Sequence, residues 1–359
     1  MGSGRTTSLP TVTVITPTFN HAAYVGEAIE SVLAQTYSDW QMVVVDDGSS
    51  DGTLRIASSF RDPRIIVVAN PHRGLECLGD SYRDALSASP GRLVAVLEGD
   101  DRWPPDKLAL QVPDFDRESV VLSYGACVLL DDFGSDYGLV IPSLSSSVLA
   151  NEPPGVIMPE LLRNCPILSP TVMVRRTALE AIGGFWQPPD VPYVDHPTWL
   201  LLGLQGTFAY HREPVGCWRR HAEQWTTRLS WAEGERTPPE ARYISQVFEA
   251  ADSMGVAMPG FDAEAAADRH QERWMTNRWR LALLEGSPRQ VASTFLALVR
   301  KRRLKLAAIG FGGLAAWVVG SDLEWVQRRR HRVSWPSRRR SRRKHQDALR
   351  QDRRTKPRQ

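Results

Sequence analysis

Cysteine is scarce in this chain. Cys77, Cys127, Cys165 and Cys217 stand far apart with no CxxC spacing, which argues against a zinc site or a disulfide framework and fits a reducing compartment. No apolar run is long enough to span a bilayer. Residues 306–320, broken by Gly310, Gly312 and Gly313, form an apolar run of 15 residues; as a helix it measures roughly 22 Å against a ~30 Å hydrocarbon core. The polar stretch 1–10 lacks an apolar signal core, so the sequence predicts a protein that is not exported. No repeat of fixed period is visible.

Ordinary globular composition is present: 42% hydrophobic and 24% charged residues over 359 positions, enough for a full α/β domain and a second region. The net charge of +3 hides an asymmetry. Residues 328–359 hold 15 Lys and Arg against Asp347 and Asp352, leaving 29 basic and 39 acidic residues in the rest. An acidic body joined to a strongly basic tail predicts a solvated tail with an anionic partner of its own.

The first hundred residues alternate between two periodicities. Short Val-rich runs at 12–15, 42–45, 65–68 and 93–97 read as strands buried on both faces. Helical patterns lie between them at 24–35, 53–60 and 81–87. That alternation predicts right-handed βαβ units and a parallel sheet. Beyond it the sequence predicts strands at 120–122, 126–130, 171–174, 207–210 and 215–218. It also predicts a loop at 144–154, helices at 177–182 and 197–204, and a helical region from about 230 to 303.

Two of those strands run straight into carboxylates: Asp46-Asp47, and Glu98-Gly99-Asp100-Asp101. Ligands bind outside the carboxyl ends of strands in such sheets. Acids set side by side there repel one another unless a cation or a hydrogen-bonding ligand neutralises them. The pattern points to a divalent metal and a phosphorylated substrate. The bland readings are that Asp46 and Asp51 cap the helix near Thr53, and that the second cluster is a solvated turn before Trp103.

These residues carry a family likeness. The segments 14–20 (VITPTFN), 46–53 (DDGSSDGT) and 97–101 (LEGDD), followed by Ser169-Pro170-Thr171, Gly183-Gly184-Phe185, Val194-Asp195 and Trp218-Arg219-Arg220-His221, resemble the inverting family-2 glycosyltransferases. The resemblance implies an α/β fold of GT-A type, a Rossmann-like, mostly parallel sheet over residues 11–228. A helical region (229–325) and a basic tail (326–359) would follow. It implies that Pro17, Phe19, Asp46 and Asp47 hold the nucleotide. Asp100 and Asp101 would hold Mn²⁺ or Mg²⁺ and ribose, with Glu98 on the sugar. Asp195 would be the catalytic base, with helix capping as its alternative. Arg219 and His221 would clamp the diphosphate or order a flap, a solvated strand end being the alternative. The implied partners are a nucleotide-diphosphate sugar and a glycan or lipid-linked acceptor.

One departure concerns the donor. Where the family shows small residues and then Arg-Asn after Gly74-Leu75, this chain has Glu76-Cys77-Leu78-Gly79-Asp80, so Arg73 or Arg83 is left to supply the charge. A nucleotidyltransferase, the competing enzyme class, needs a glycine-rich, Lys- or Arg-bearing loop after the first strand, and residues 16–24 contain none of the three. A non-catalytic sugar-binding scaffold with a docking tail is the non-enzymatic alternative. Basic clusters flank segment 306–320 on both sides. An interfacial segment on an anionic membrane therefore competes with an ordinary buried helix, and residues 300–359 are expected to meet such a surface. No nucleic-acid partner is expected, since aromatic stacking or helix-turn-helix context is lacking. The expected place of work is the cytoplasmic face of a membrane.

Overall fold

The computed structural model describes residues 9–221, 223–224 and 243–255, all inside the first of two units, residues 1–275. Segment 306–320, the tail 326–359 and most of the expected helical region lie outside the described residues. Strands β1 (Val12–Thr18), β2 (Trp40–Asp46), β3 (Ile65–Ala69) and β4 (Leu93–Val96) alternate with helices α1 (Val25–Leu33), α2 (Thr53–Ala57) and α3 (Leu78–Ala88). They pair in the order β3-β2-β1-β4, all parallel. The Val-rich runs of β1, β2 and β4 form strands because both faces are covered, whereas β3, expected to be buried on both faces, lies at the sheet edge and is only partly buried. Val12, Val14, Met42, Val44, Leu93 and Ala95 pack with Val25, Ala28, Ile29 and Val32 of α1. The intervening Ile15, Val43, Val45, Val94 and Val96 pack on the opposite face with Tyr82 and Ala85 of α3. Full burial of each such aliphatic side chain stabilises the fold by roughly 1.5–3 kcal/mol.

The second half adds α4 (Lys107–Gln111), β5 (Val120–Leu130), β6 (Asp136–Val140), α5 (Ser146–Leu149) and α6 (Met158–Asn164). Then come β7 (Met173–Arg175), α7 (Arg176–Ala181), α8 (Asp195–Gln205), β8 (Thr207–Arg219) and α9 (Ile244–Ser253). Strand β7 lies antiparallel between β4 and β5, β6 pairs antiparallel with β5, and β8 runs parallel to β5. The sheet is therefore mixed, with four parallel neighbours and three antiparallel ones. Among the described residues no helix is long and apolar enough to cross a membrane.

Several boundaries differ from the sequence pattern. The two runs expected at 120–122 and 126–130 form one strand, because Ser123 is buried and its hydroxyl donates to Asp114 (2.6 Å). At Gly125 the backbone passes so close to β8 that a Cβ would lie 2.7 Å from the His211 carbonyl oxygen. The runs at 207–210 and 215–218 likewise join, with the register slipping opposite Pro214, a residue that cannot donate to a ladder. Part of the expected loop 144–154 is the short helix α5, and a 3-10 turn (Ser169–Thr171) precedes β7.

Strand order proceeds outward from β1 to β3, then jumps back to β4 on the other side of β1. That reversal opens a crevice at the carboxyl ends of β1 and β4. Both carboxylate clusters flank it.

Candidate active site

The end of β1 is the axis of the site. Asp47 N–H donates to the Thr18 carbonyl (3.0 Å) on one side, and Gly99 N–H donates to the Pro17 carbonyl (3.1 Å) on the other. The acidic turns after β2 and β4 are thus both tied to β1, which stands between them. On the β4 side, Glu98, Asp100 and Asp101 each bring one carboxylate oxygen within 4.8 Å of the others. Asp101 accepts the Arg219 backbone N–H through Oδ1 (2.8 Å), and its buried Oδ2 has no hydrogen-bond partner among the described residues. Asp100 Oδ2 lies 3.0 Å from His221 Nε2. Tyr82 O–H donates to Glu98 Oε1 at 3.4 Å.

The electrostatics reflect this crowding. Burial, then the charges of Asp100 and Asp195, push Glu98 up to about 8. Burial, then the charges of Asp100 and Glu98, raise Asp101 well above the ordinary range. Burial also works against the Asp100 carboxylate, but His21 and His221 outweigh it and leave Asp100 below its usual value. Three hard oxygen donors, one of them unsatisfied, fit a divalent cation of the Mg²⁺ or Mn²⁺ kind.

Asp195 opens α8, and its Oδ2 accepts a hydrogen bond from Ser169 Oγ (3.1 Å). Burial raises its pKa, with the Ser169 bond and backbone N–H groups opposing. Its charge reaches Glu98 and Tyr82, so it borders the same crevice, yet it is not among the three clustered carboxylates.

The β2 side is built differently. Asp47 accepts the backbone N–H groups of Arg73 and Gly74, both at 2.9 Å. His72 Nδ1 lies 2.9 Å from the Asp47 carboxylate and equally close to its carbonyl. The His72 ring stacks on Phe19 with centroids 4.2 Å apart and planes 17° apart; Phe19 is itself exposed at the mouth, while Pro17 is buried in β1. Of the two arginines left to replace the family's Arg, Arg73 stands 3.8 Å from Asp47 while bonding Asp84 (2.7 Å). Arg83 pairs with Asp80 at the surface.

Two expectations change. Asp46 is buried and spends its carboxylate on the Ser49 N–H (3.0 Å) and hydroxyl, closing its own turn. Asp51 follows the bland reading: it accepts the Thr53 N–H at the start of α2 (2.9 Å), and the Ala22 N–H (3.0 Å) as well. Arg219 does not reach into the crevice. It is 1% exposed, donates Nε–H to the Asp100 carbonyl (2.8 Å) and an Nη2–H to Glu27 (2.6 Å), and lies over the Tyr24 ring. Its guanidinium holds the acidic turn in place. Glu27, Tyr82, His72 and Ser169 were not identified as site residues from sequence. The partner of Glu27 is 192 positions away, and no local pattern marks such a pair.

The family model described as Glycosyl transferase family 2 matches residues 13–183. Bacillus subtilis TuaG, named as a teichuronic acid biosynthesis glycosyltransferase, is 32% identical over 203 residues, covering 56% of this chain and 75% of the relative. The chain belongs to glycosyltransferase family 2. Escherichia coli WfaP, named as a UDP-Glc:α-D-GlcNAc-diphosphoundecaprenol β-1,3-glucosyltransferase, is 29% identical to this family-2 enzyme, with 58% and 76% coverage. Staphylococcus aureus TarS, solved with UDP-GlcNAc, superposes with a TM-score of 0.52 at 15% identity over 87% of this chain and 92% of TarS. That likeness concerns the fold, an α/β fold of GT-A type. Family membership sets aside the nucleotidyltransferase and the non-catalytic scaffold.

Proposed function

We propose that this glycosyltransferase moves a hexose from a UDP-linked donor to a hydroxyl of a lipid-linked or cell-surface glycan, with inversion and with a divalent cation. The observation that carries the reading is a division of labour among acids. Glu98, Asp100 and Asp101 converge within 4.8 Å, while Asp195 stands apart from them, held by Ser169. In-line displacement needs that separation. Asp195 takes the proton of the acceptor hydroxyl as its oxygen attacks the anomeric carbon from the side opposite the nucleotide. The bond from that carbon to the diphosphate oxygen breaks, and no covalent enzyme intermediate forms. A divalent cation on the carboxylates would neutralise charge gathering on the departing diphosphate. Burial makes Asp195 a stronger base than a solvated carboxylate.

The donor and acceptor classes rest on the names of WfaP and its Escherichia coli counterpart WfgD, which is 30% identical to this chain. Phe19 and Asp47 would receive the base, and Arg73 would supply the charge that the family's Arg gives elsewhere. His221, bonded to Asp100, would border the diphosphate. Residues 300–359, rich in Lys and Arg, would dock the enzyme on the anionic cytoplasmic leaflet where lipid-linked acceptors reside. The test is the anomeric configuration of the product by NMR, from an α-linked UDP-hexose and a polyprenyl-diphosphate sugar. A β-linked product is expected; an α-linked product contradicts inversion.

A further inference from the structure

One corner of the crevice is not used by the mechanism above. Chain direction changes at Asn20, whose φ of 55° puts a non-glycine residue in the left-handed region. That conformation has an energetic cost and recurs where a side chain must be aimed. Asn20 is pinned there: its N–H donates to Ser49 Oγ (2.9 Å), and its side-chain carbonyl accepts the Ser50 N–H (2.9 Å). The turn directs His21 back over the acidic loop instead of out to solvent. A Cβ on Gly99 would lie 2.9 Å from His21 Nδ1 and 2.5 Å from Thr18 Oγ1, so both polar atoms crowd the glycine between Glu98 and Asp100. Both are buried, and neither has a hydrogen-bond partner among the described residues. Thr18 is 4% exposed. The His21 ring is seated edge-on against Tyr24 and His221, each with centroids 6.4 Å away.

Two orphaned polar groups at one spot, beside a strained turn and an obligatory glycine, mark a place for a ligand. The ligand is an anion rather than the cation. Among the described residues only the three carboxylates come together as metal-ligating groups, although imidazole nitrogens are equally eligible. An Nδ1–H and a hydroxyl are donors suited to a phosphate oxygen. We infer that His21 Nδ1 and Thr18 Oγ1 form a diphosphate subsite, taking a non-bridging oxygen of the sugar-bearing phosphate of the donor. Gly99 is required there because any side chain would fill the space between the two donors. The inference deepens the transferase reading and rests on it.

The test is calorimetry of uridine, UMP and UDP, each with Mn²⁺, on the full-length wild type and on His21→Ala, His21→Asn and Thr18→Val. Thermal melts establish that each variant is folded. Loss of a charge-assisted hydrogen bond lowers affinity about tenfold. His21→Ala and Thr18→Val are therefore expected to weaken UDP about tenfold while leaving uridine and UMP within about twofold. His21→Asn, which keeps an N–H donor, is expected to recover part of the loss. UDP bound equally by wild type and both deletion variants overturns the subsite while the transferase reading stands. A parallel loss for uridine, UMP and UDP also overturns it, since the residues would then only shape the nucleoside pocket. A wild type that binds no UDP overturns both.

Discussion

At the scale of single residues the site depends on which carboxylates are satisfied and which are not. Asp46 spends its oxygens on its own turn, and Asp51 divides its own between Thr53 and the Ala22 N–H, whereas Asp101 retains a buried oxygen with no partner among the described residues. Asp195→Asn keeps the shape and the Ser169 contact but removes the base, so turnover should fall about a thousandfold. Donor affinity should stay within twofold by calorimetry, and unchanged turnover would remove Asp195 from the mechanism. The acid limb of the pH–rate profile follows from the same residue. The free enzyme holds the Asp195 proton more tightly than a solvated carboxyl does, so the reactive, ionised form is lost on acidification at a higher pH than for an ordinary Asp. The midpoint of log kcat/KM on the acid side is expected above 3.8, the unperturbed value, and a limb below it would contradict the burial argument.

At the scale of elements, continuous Val-rich runs with helical spacing between them were enough to locate β1 to β4 and their three helices. Strands β1, β2 and β4 are covered on both faces, and only the edge strand β3 is partly exposed. The carboxylate turns were legible for the same reason, since they end those strands. Elements held by distant partners were not legible. The middle of β5 carries Ser123 and Gly125, which look like strand breakers until Asp114 and His211 are brought against them. Edge strand β6 is half exposed and shows little alternation. Arg219 reads as a basic strand end until Glu27 arrives from α1. Gly125→Ala tests the β5–β8 approach: its Cβ would meet backbone at 2.7 Å, which cannot rotate away. A loss of about 2 kcal/mol in denaturant unfolding is expected, and a neutral outcome would mean that the strands are free to separate. Glu27→Gln should weaken Mn²⁺ binding, because the buried Arg219 that holds Asp100 and Asp101 loses its charged partner. Unaltered Mn²⁺ affinity would confine Glu27 to a surface role.

At the scale of the whole molecule the charge is unevenly divided along the chain. The 15 basic residues of 328–359 sit on a chain whose remainder has ten more acidic than basic residues. The full chain should therefore float with vesicles containing anionic phosphatidylglycerol, release as salt rises, and ignore phosphatidylcholine vesicles. Equal binding to both lipids, or retention on RNA instead, would contradict a leaflet-docking tail. At the other end of the molecule three carboxylates converge, and the proposed function puts a cation on them beneath the donor diphosphate. Its most direct test is calorimetric titration of UDP into chelator-stripped wild type and into Asp101→Asn, with and without Mn²⁺. The account predicts that Mn²⁺ strengthens UDP binding by tenfold or more in wild type and has no effect in Asp101→Asn; UDP affinity indifferent to Mn²⁺ in wild type would contradict it.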